Sequence, residues 1–178
     1  EIMPSLVGSE MCIRDRADAV VIDANLTQET VSWIADNITA PLYADPVSAA
    51  KADRLKPVLG KLTAFKPNEY EAKSMTGEST SLFAAEALLN AGVKKVFVSL
   101  GGDGIVAASD GEIIKLPCVT TEISNCTGCG DAATAAIIWA GVNGLGIAES
   151  ASAAMKAAAM CAACPGAINP ELCPELIS

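Results

Sequence analysis

Histidine is absent from all 178 residues. This removes Ser-His-Asp and Cys-His nucleophile systems, and every histidine metal site, from this stretch of chain. General acid–base chemistry is left to Asp, Glu, Lys, Tyr or Cys. Positive charge is scarce as well. Twelve Lys and Arg face 21 Asp and Glu, giving a net charge of −9. A nucleic-acid surface needs clustered cations and none occurs, so the expected partner is a small molecule and not a nucleic acid. Long apolar runs are missing too. The longest, from Ala132 to Val142, is too short to span a bilayer. Nothing resembles a secretory signal, and the expectation is a cytoplasmic protein with no membrane partner.

What is present is a globular composition, 51% hydrophobic and 19% charged, in a length that suits one domain. Residues 1–16, EIMPSLVGSEMCIRDR, stand apart. They carry neither helical nor strand periodicity, and Leu6 to Arg16 resembles one reading frame of a transposase-type sequencing adapter. We set them aside as a non-native segment and expect the native fold to begin near Ala17, within a longer gene.

From there short β-rich runs alternate with helical ones. Strands are expected at Ala19–Asp23, Pro41–Ala44, Leu62–Phe65 and Lys95–Leu100. Helices are expected at 27–37, with Thr27 as a candidate N-cap, from Ser48 to about Leu55 with Pro57 interrupting, at 71–75 and at 81–90, the last closed by Gly92. That order implies a largely parallel α/β sheet. Tight turns at Gly101–Gly104 and Asp110-Gly111 then read as an antiparallel meander through Ile105–Ala108 and Glu112–Leu116. Two Ala-rich helices follow, at about 131–143 and 147–163. Ligands of such sheets sit at the carboxyl ends of the strands. The polar residues there are Asp23, Asn25, Asp45, Ser48, Lys66, Asn68 and Ser99.

The segment Asn125-Cys126-Thr127-Gly128-Cys129-Gly130-Asp131 opens the first Ala-rich helix. Its glycines let backbone approach a phosphate, and the first N–H groups of a helix are unpaired donors aided by the helix dipole. Asp131 fits two roles on spacing alone: a helix N-cap, or a carboxylate that meets an attacking hydroxyl. Two further patterns compete. Cys126-x-x-Cys129 with Cys161-x-x-Cys164 could form a four-Cys zinc site, although some thirty residues lie between the pairs. Gly128-x-Gly130-x-x-Ala133 also fits a dinucleotide fingerprint, which would require a second strand after the helix, where another helix is expected.

Thr127-Gly128-Cys129-Gly130-Asp131 resembles the Thr-Gly-Ala-Gly-Asp pattern of the ribokinase-like (PfkB) kinases. Asn68-Glu69-Tyr70-Glu71 resembles their Asn-x-x-Glu motif, Ser99–Gly104 their strand-glycine turn, and Pro165-Gly166-Ala167 the loop after their last long helix. The four occur in the right order across residues 17–178. The resemblance implies the C-terminal nucleotide-binding portion of a three-layer ribokinase-like α/β fold, with the N-terminal part and lid missing. It implies ATP-dependent phosphorylation of a sugar or nucleoside hydroxyl, with Mg²⁺ and a monovalent cation such as K⁺, in a protein whose full-length form is a homodimer. Asp131 would be the base, and the amides of Gly128, Cys129 and Gly130 the anion hole. Asn68 and Glu71 would place the Mg²⁺-bound phosphates, Glu71 as the metal-side residue, while Ser99, Gly101 and Gly104 would line the ATP site. Cys129 stands for the usual Ala, Asn125 for a frequent Asp in the cation loop, and Lys156 near a position that is often Asn. Asp23–Leu26, Asp45–Ser48, Lys66–Glu71 and Ile168–Leu172 look most like pseudouridine kinases, which would make the product a 5′-phosphate. A nucleotide-binding piece without turnover is the alternative.

Deleting residues 1–16 should leave the thermal midpoint unchanged. A clear fall on melting the shortened chain would return that segment to the native fold.

Overall fold

The computed structural model of the chain describes residues 16–178, so all of the segment set aside above except Arg16 lies outside the described residues. Six strands form one sheet in the order β1-β2-β3-β4-β5-β6. They are β1 (Val20–Asp23), β2 (Leu42–Asp45), β3 (Ala64–Phe65), β4 (Lys95–Ser99), β5 (Ile105–Ser109) and β6 (Glu112–Leu116). The first four are parallel, and β4, β5 and β6 pair antiparallel, as the alternation of runs and the glycine turns predict.

Side chains alternate along these strands, and the alternation sorts them into two cores. Leu42, Ala44, Phe65, Val96, Val98, Val106 and Ala108 face one way. They bury against α1 (Gln28–Asn37), α2 (Ala49–Ala52) and its 3₁₀ continuation (Asp53–Lys61), α3 (Glu69–Thr76) and α4 (Ser81–Asn90). Tyr43, Ala64, Phe97, Ile105 and Ala107 face the other way, onto α5 (Cys129–Val142) and α6 (Ile147–Ala163). The result is a three-layer arrangement of helices, sheet and helices. The short α7 (Pro174–Ile177) packs Ile177 against the outer side of α5 and α6.

Local chemistry accounts for most boundaries. The Thr27 hydroxyl accepts the Thr30 N–H and starts α1. The expected helix from Ser48 to Leu55 is instead one α-helical turn that tightens into 3₁₀ geometry through Pro57 to Lys61. The Pro57 ring would crowd the carbonyl four residues back in an α-helix, and that residue, Asp53, is where the tighter form begins. Helix α3 begins two residues earlier than its apolar period implies, because Asn68 and Glu71 form a reciprocal capping box. Helix α5 also starts early, at Cys129. Its N-cap is Gly128, so Asp131 is the third helical residue and caps nothing; the N-cap role open to it on spacing does not hold.

One turn residue is indispensable by geometry. Gly104 has φ 98° where the chain enters β5, and a β-carbon there would lie 2.0 Å from the Leu116 carbonyl oxygen. That atom is backbone, so it cannot swing aside. Gly104→Ala should therefore destabilise the fold by about 2 kcal/mol or more, read as a lower midpoint in urea. An unchanged midpoint would show that the β5–β6 hairpin relaxes freely.

Candidate functional site

The carboxyl ends of β2, β3 and β4 and the start of α5 meet on one side of the sheet. The β2–β3 register, Ala44 beside Phe65, sets the next residues, Asp45 and Lys66, side by side. The Lys66 ammonium lies 2.9 Å from Asp45 Oδ2, and Lys66 is only 6% exposed. The same Oδ2 accepts the Thr134 hydroxyl from α5 at 3.0 Å, and Oδ1 accepts the Val47 N–H at 3.0 Å. Val47 has φ 61°, unusual for a β-branched residue, in a turn closed by the Ser48 N–H on the Pro46 carbonyl. Strained backbone of this kind is held in place by its surroundings, and here the holding group is Asp45.

Glu71 sits behind this pair. It is 4% exposed, and one of its oxygens accepts the Asn68 N–H at 2.8 Å while the Asn68 side chain accepts the Glu71 N–H at 2.8 Å. Burial pushes the Glu71 carboxyl above its ordinary value. The Asn68 N–H draws it back down, the Asp45 charge adds to the rise, and Lys66 opposes it. Ser99 joins from β4: it bridges to Asn68 in parallel fashion, and its N–H reaches the Pro67 carbonyl at 3.0 Å. Gly101 and Gly104 bound the turn just beyond.

The third part is the loop into α5. The Asn125 side chain accepts the Thr127 N–H at 2.9 Å and donates to the Pro165 carbonyl at 3.0 Å. Gly128, at φ 85°, lies so close to the 165–167 loop that a β-carbon would fall 2.1 Å from the Ala167 carbonyl oxygen. Of the three amides expected to form an anion hole, that of Cys129 turns back onto the Cys126 carbonyl at 3.4 Å. Among the described residues the N–H groups of Gly128, Gly130 and Asp131 find no backbone acceptor. The Asp131 side chain is exposed and makes no hydrogen bond or ion pair within the described residues. The site therefore offers an unengaged carboxylate beside unengaged helix N–H donors.

Other residues singled out from the sequence have structural duties. Asp23 holds the Asn25 backbone and side-chain amides, and the Lys51 ammonium donates to Asn25 Oδ1. The Lys156 ammonium is bonded to the Ser178 carbonyl at 2.6 Å. The cysteine pairs do not assemble a metal site: among the described residues no three candidate ligands converge. Cys161 is buried and gives its S–H to the Thr127 and Ala167 carbonyls. Cys129 is pushed up to about 11 by burial and the adjacent Cys161, so it stays a thiol. The dinucleotide pattern lacks its strands, since a loop precedes α5 and α6 follows it. Sequence reasoning missed the Asp45–Lys66 pair and its tie to Thr134. The signal was there, because Asp45-Pro46 and Lys66-Pro67 end consecutive parallel strands.

Comparison with known proteins bears on this arrangement. The family described as pfkB family carbohydrate kinase matches over residues 17–173. The pseudouridine kinase of Escherichia coli strain K12 is 33% identical over 164 residues, covering 88% of this chain and 52% of that protein. A ribokinase from Thermotoga maritima superposes with a TM-score of 0.79 at 26% identity, over 88% of this chain and 54% of its own. An Arabidopsis thaliana ribokinase, solved with ribose and ATP, gives 0.74 at 25% identity, over 89% and 54%. The chain thus spans about half the length of such relatives. No helix among the described residues is long and apolar enough to cross a membrane.

Buried Glu71 has a consequence for stability. Its folded pKa is raised, so the folded state holds the proton more firmly than the unfolded state does. The penalty is absent below the unfolded value and grows as pH rises through the folded one. Glu71→Gln keeps an oxygen to accept the Asn68 N–H without the charge. It should raise the thermal midpoint at pH 7, with the gain vanishing toward pH 4. A midpoint lowered at pH 7 would show that the charge itself stabilises the fold.

Proposed function

The chain belongs to the pfkB family of carbohydrate kinases, and on that premise we propose that the protein transfers the terminal phosphoryl group of ATP to a hydroxyl of a sugar or nucleoside, with Asp131 as the base. The observation that carries this reading is the pairing at the start of α5: a free carboxylate at the third helical position, beside first-turn N–H groups without acceptors. An N–H cluster at a helix start suits an anion, and the carboxylate suits the proton of the incoming hydroxyl. Phosphoryl transfer asks for positioning and charge neutralisation more than for a strong base, which an aspartate satisfies.

In this reading Asp131 orients the hydroxyl and takes its proton. The N–H groups of Gly128, Gly130 and Asp131 receive the oxygens of the moving group. Asn68 commits its carbonyl oxygen to α3 and keeps its amide N–H₂ for a phosphate. Ser99, Gly101 and Gly104 line the nucleotide. Mg²⁺ bound here would supply neutralisation of phosphate oxygens, and the residues present suit it: among the described residues Glu71 has one oxygen in the capping box and the other without a protein partner, and no three ligands converge. That is the thin protein contribution expected of an ion that keeps its waters and binds mainly phosphates. A monovalent cation such as K⁺ belongs to the proposal as an activator at the Asn125 loop, tested by exchanging K⁺ for a large organic cation.

Pseudouridine, phosphorylated at its 5′-hydroxyl, is the proposed substrate, supported by the identity with the pseudouridine kinase and by the segments around Asp23, Asp45, Lys66 and Ile168. A substrate panel on the protein at the length of its relatives tests this. Strong preference for ribose, fructose or adenosine would refute the substrate. MgATP binding with no sugar or nucleoside turned over would refute the reaction and leave a nucleotide-binding protein.

Asp131→Asn separates chemistry from folding. Asn keeps the size and cannot accept a proton at neutral pH. The variant should fold and bind MgATP, with kcat lower by about a hundredfold or more. Its midpoint should drop only slightly, because one favourable charge near the helix N-terminus is lost. Turnover within a few-fold of the parent would remove Asp131 from the mechanism.

A further inference from the structure

A lysine as buried as Lys66, at 6% exposure, calls for a reason. Lys66 leaves the end of β3 and runs beneath the start of α5: a β-carbon on Gly130 would lie 3.8 Å from its ammonium nitrogen. Gly130 immediately precedes Asp131. The ammonium binds Asp45 Oδ2, which also takes the Thr134 hydroxyl, and that hydroxyl lies 3.0 Å from the Gly130 carbonyl as well. Thr134 is three residues beyond Asp131 on the same helix. A chain of polar contacts thus runs from two strand ends to the turn that carries the free carboxylate. Its three side chains, those of Lys66, Asp45 and Thr134, are half-buried or buried.

Stability does not explain such a chain. Two apolar side chains of equal size generally serve a core as well as a buried ion pair does. What ions and hydroxyls supply, and apolar groups do not, is a fixed direction. In phosphoryl transfer direction is most of what the protein contributes, and a misplacement of about 1 Å costs on the order of a hundredfold. We infer that Lys66 is a positioning residue: through Asp45 and Thr134 it holds the first turn of α5, and with it Asp131, at one fixed place over the ends of β2 and β3. The part of this inference that concerns catalysis rests on the kinase reading; the part that concerns the helix start does not.

The experiment has two arms. In the 178-residue chain, amide hydrogen exchange is followed at Ala132, Ala133 and Thr134, the first α5 amides beyond the unengaged ones, for the parent, for Thr134→Val, and for Asp45→Asn combined with Lys66→Met. The double variant removes both charges together, so no unpaired ion is left buried. Exchange should speed up in the first turn of α5 in both variants while the rest of α5 and α6 keeps its protection. In the enzyme at the length of its relatives, both variants should lose about ten- to a hundredfold in kcat with KM for ATP changed only a few-fold. Unchanged exchange in the first turn overturns the inference. So does a kcat within about threefold of the parent in both variants. If the double variant unfolds, Thr134→Val, which alters no charge, decides alone. Faster exchange with no turnover by the parent refutes the kinase reading and leaves the positioning role standing.

Discussion

A sheet covered on both faces by helices has one place left for polar chemistry, and the whole arrangement depends on that constraint. The buried apolar side chains of β2 to β5 are divided between the two cores, Tyr43 and Phe97 on the α5–α6 side, Phe65 and Val98 on the other. Across these strands polar groups gather where the strands stop. Asp45 and Ser99 are the last residues of β2 and β4, and Lys66 and Asn68 follow directly on β3. Parallel pairing aligns the ends of β2, β3 and β4, so residues far apart in sequence arrive together with no long-range recognition beyond the ladder itself.

The fold was legible because its signals are local. Short β-rich runs marked the strands, Thr27 and Gly92 marked helix ends, and the glycine turns marked the change from parallel to antiparallel. Boundaries drifted where a local signal was overridden. Pro57 was read as a stop, yet the chain passes through it in 3₁₀ form. The apolar period of α3 hid the capping box that starts it two residues sooner. In the site, motif residues such as Asn68, Glu71 and Gly128 were visible one by one. The contact of Asp45 with Lys66 and Thr134 was not, since it depends on strand register and on where α5 crosses the strand ends. Register follows from pairing, and pairing is a property of two segments at once.

Charge is used with the same economy. Two carboxylates and one ammonium meet at the ends of β2 and β3, and the two acids differ in treatment. Asp45 has both oxygens occupied and acts as a joint. Glu71 has one oxygen bound to the Asn68 N–H and, among the described residues, no protein partner for the other.

The close approach of Gly128 to Ala167 makes the two loops a single mechanical piece. No gap separates them that could absorb a displacement, since even one added carbon would overlap the Ala167 carbonyl. Asn125 fastens the same pair from the other end through Pro165. Whatever presses on residues 165–167 must therefore move the first turn of α5 with it. The loop after the last long helix becomes a lever whose short arm ends at the helix that carries Asp131.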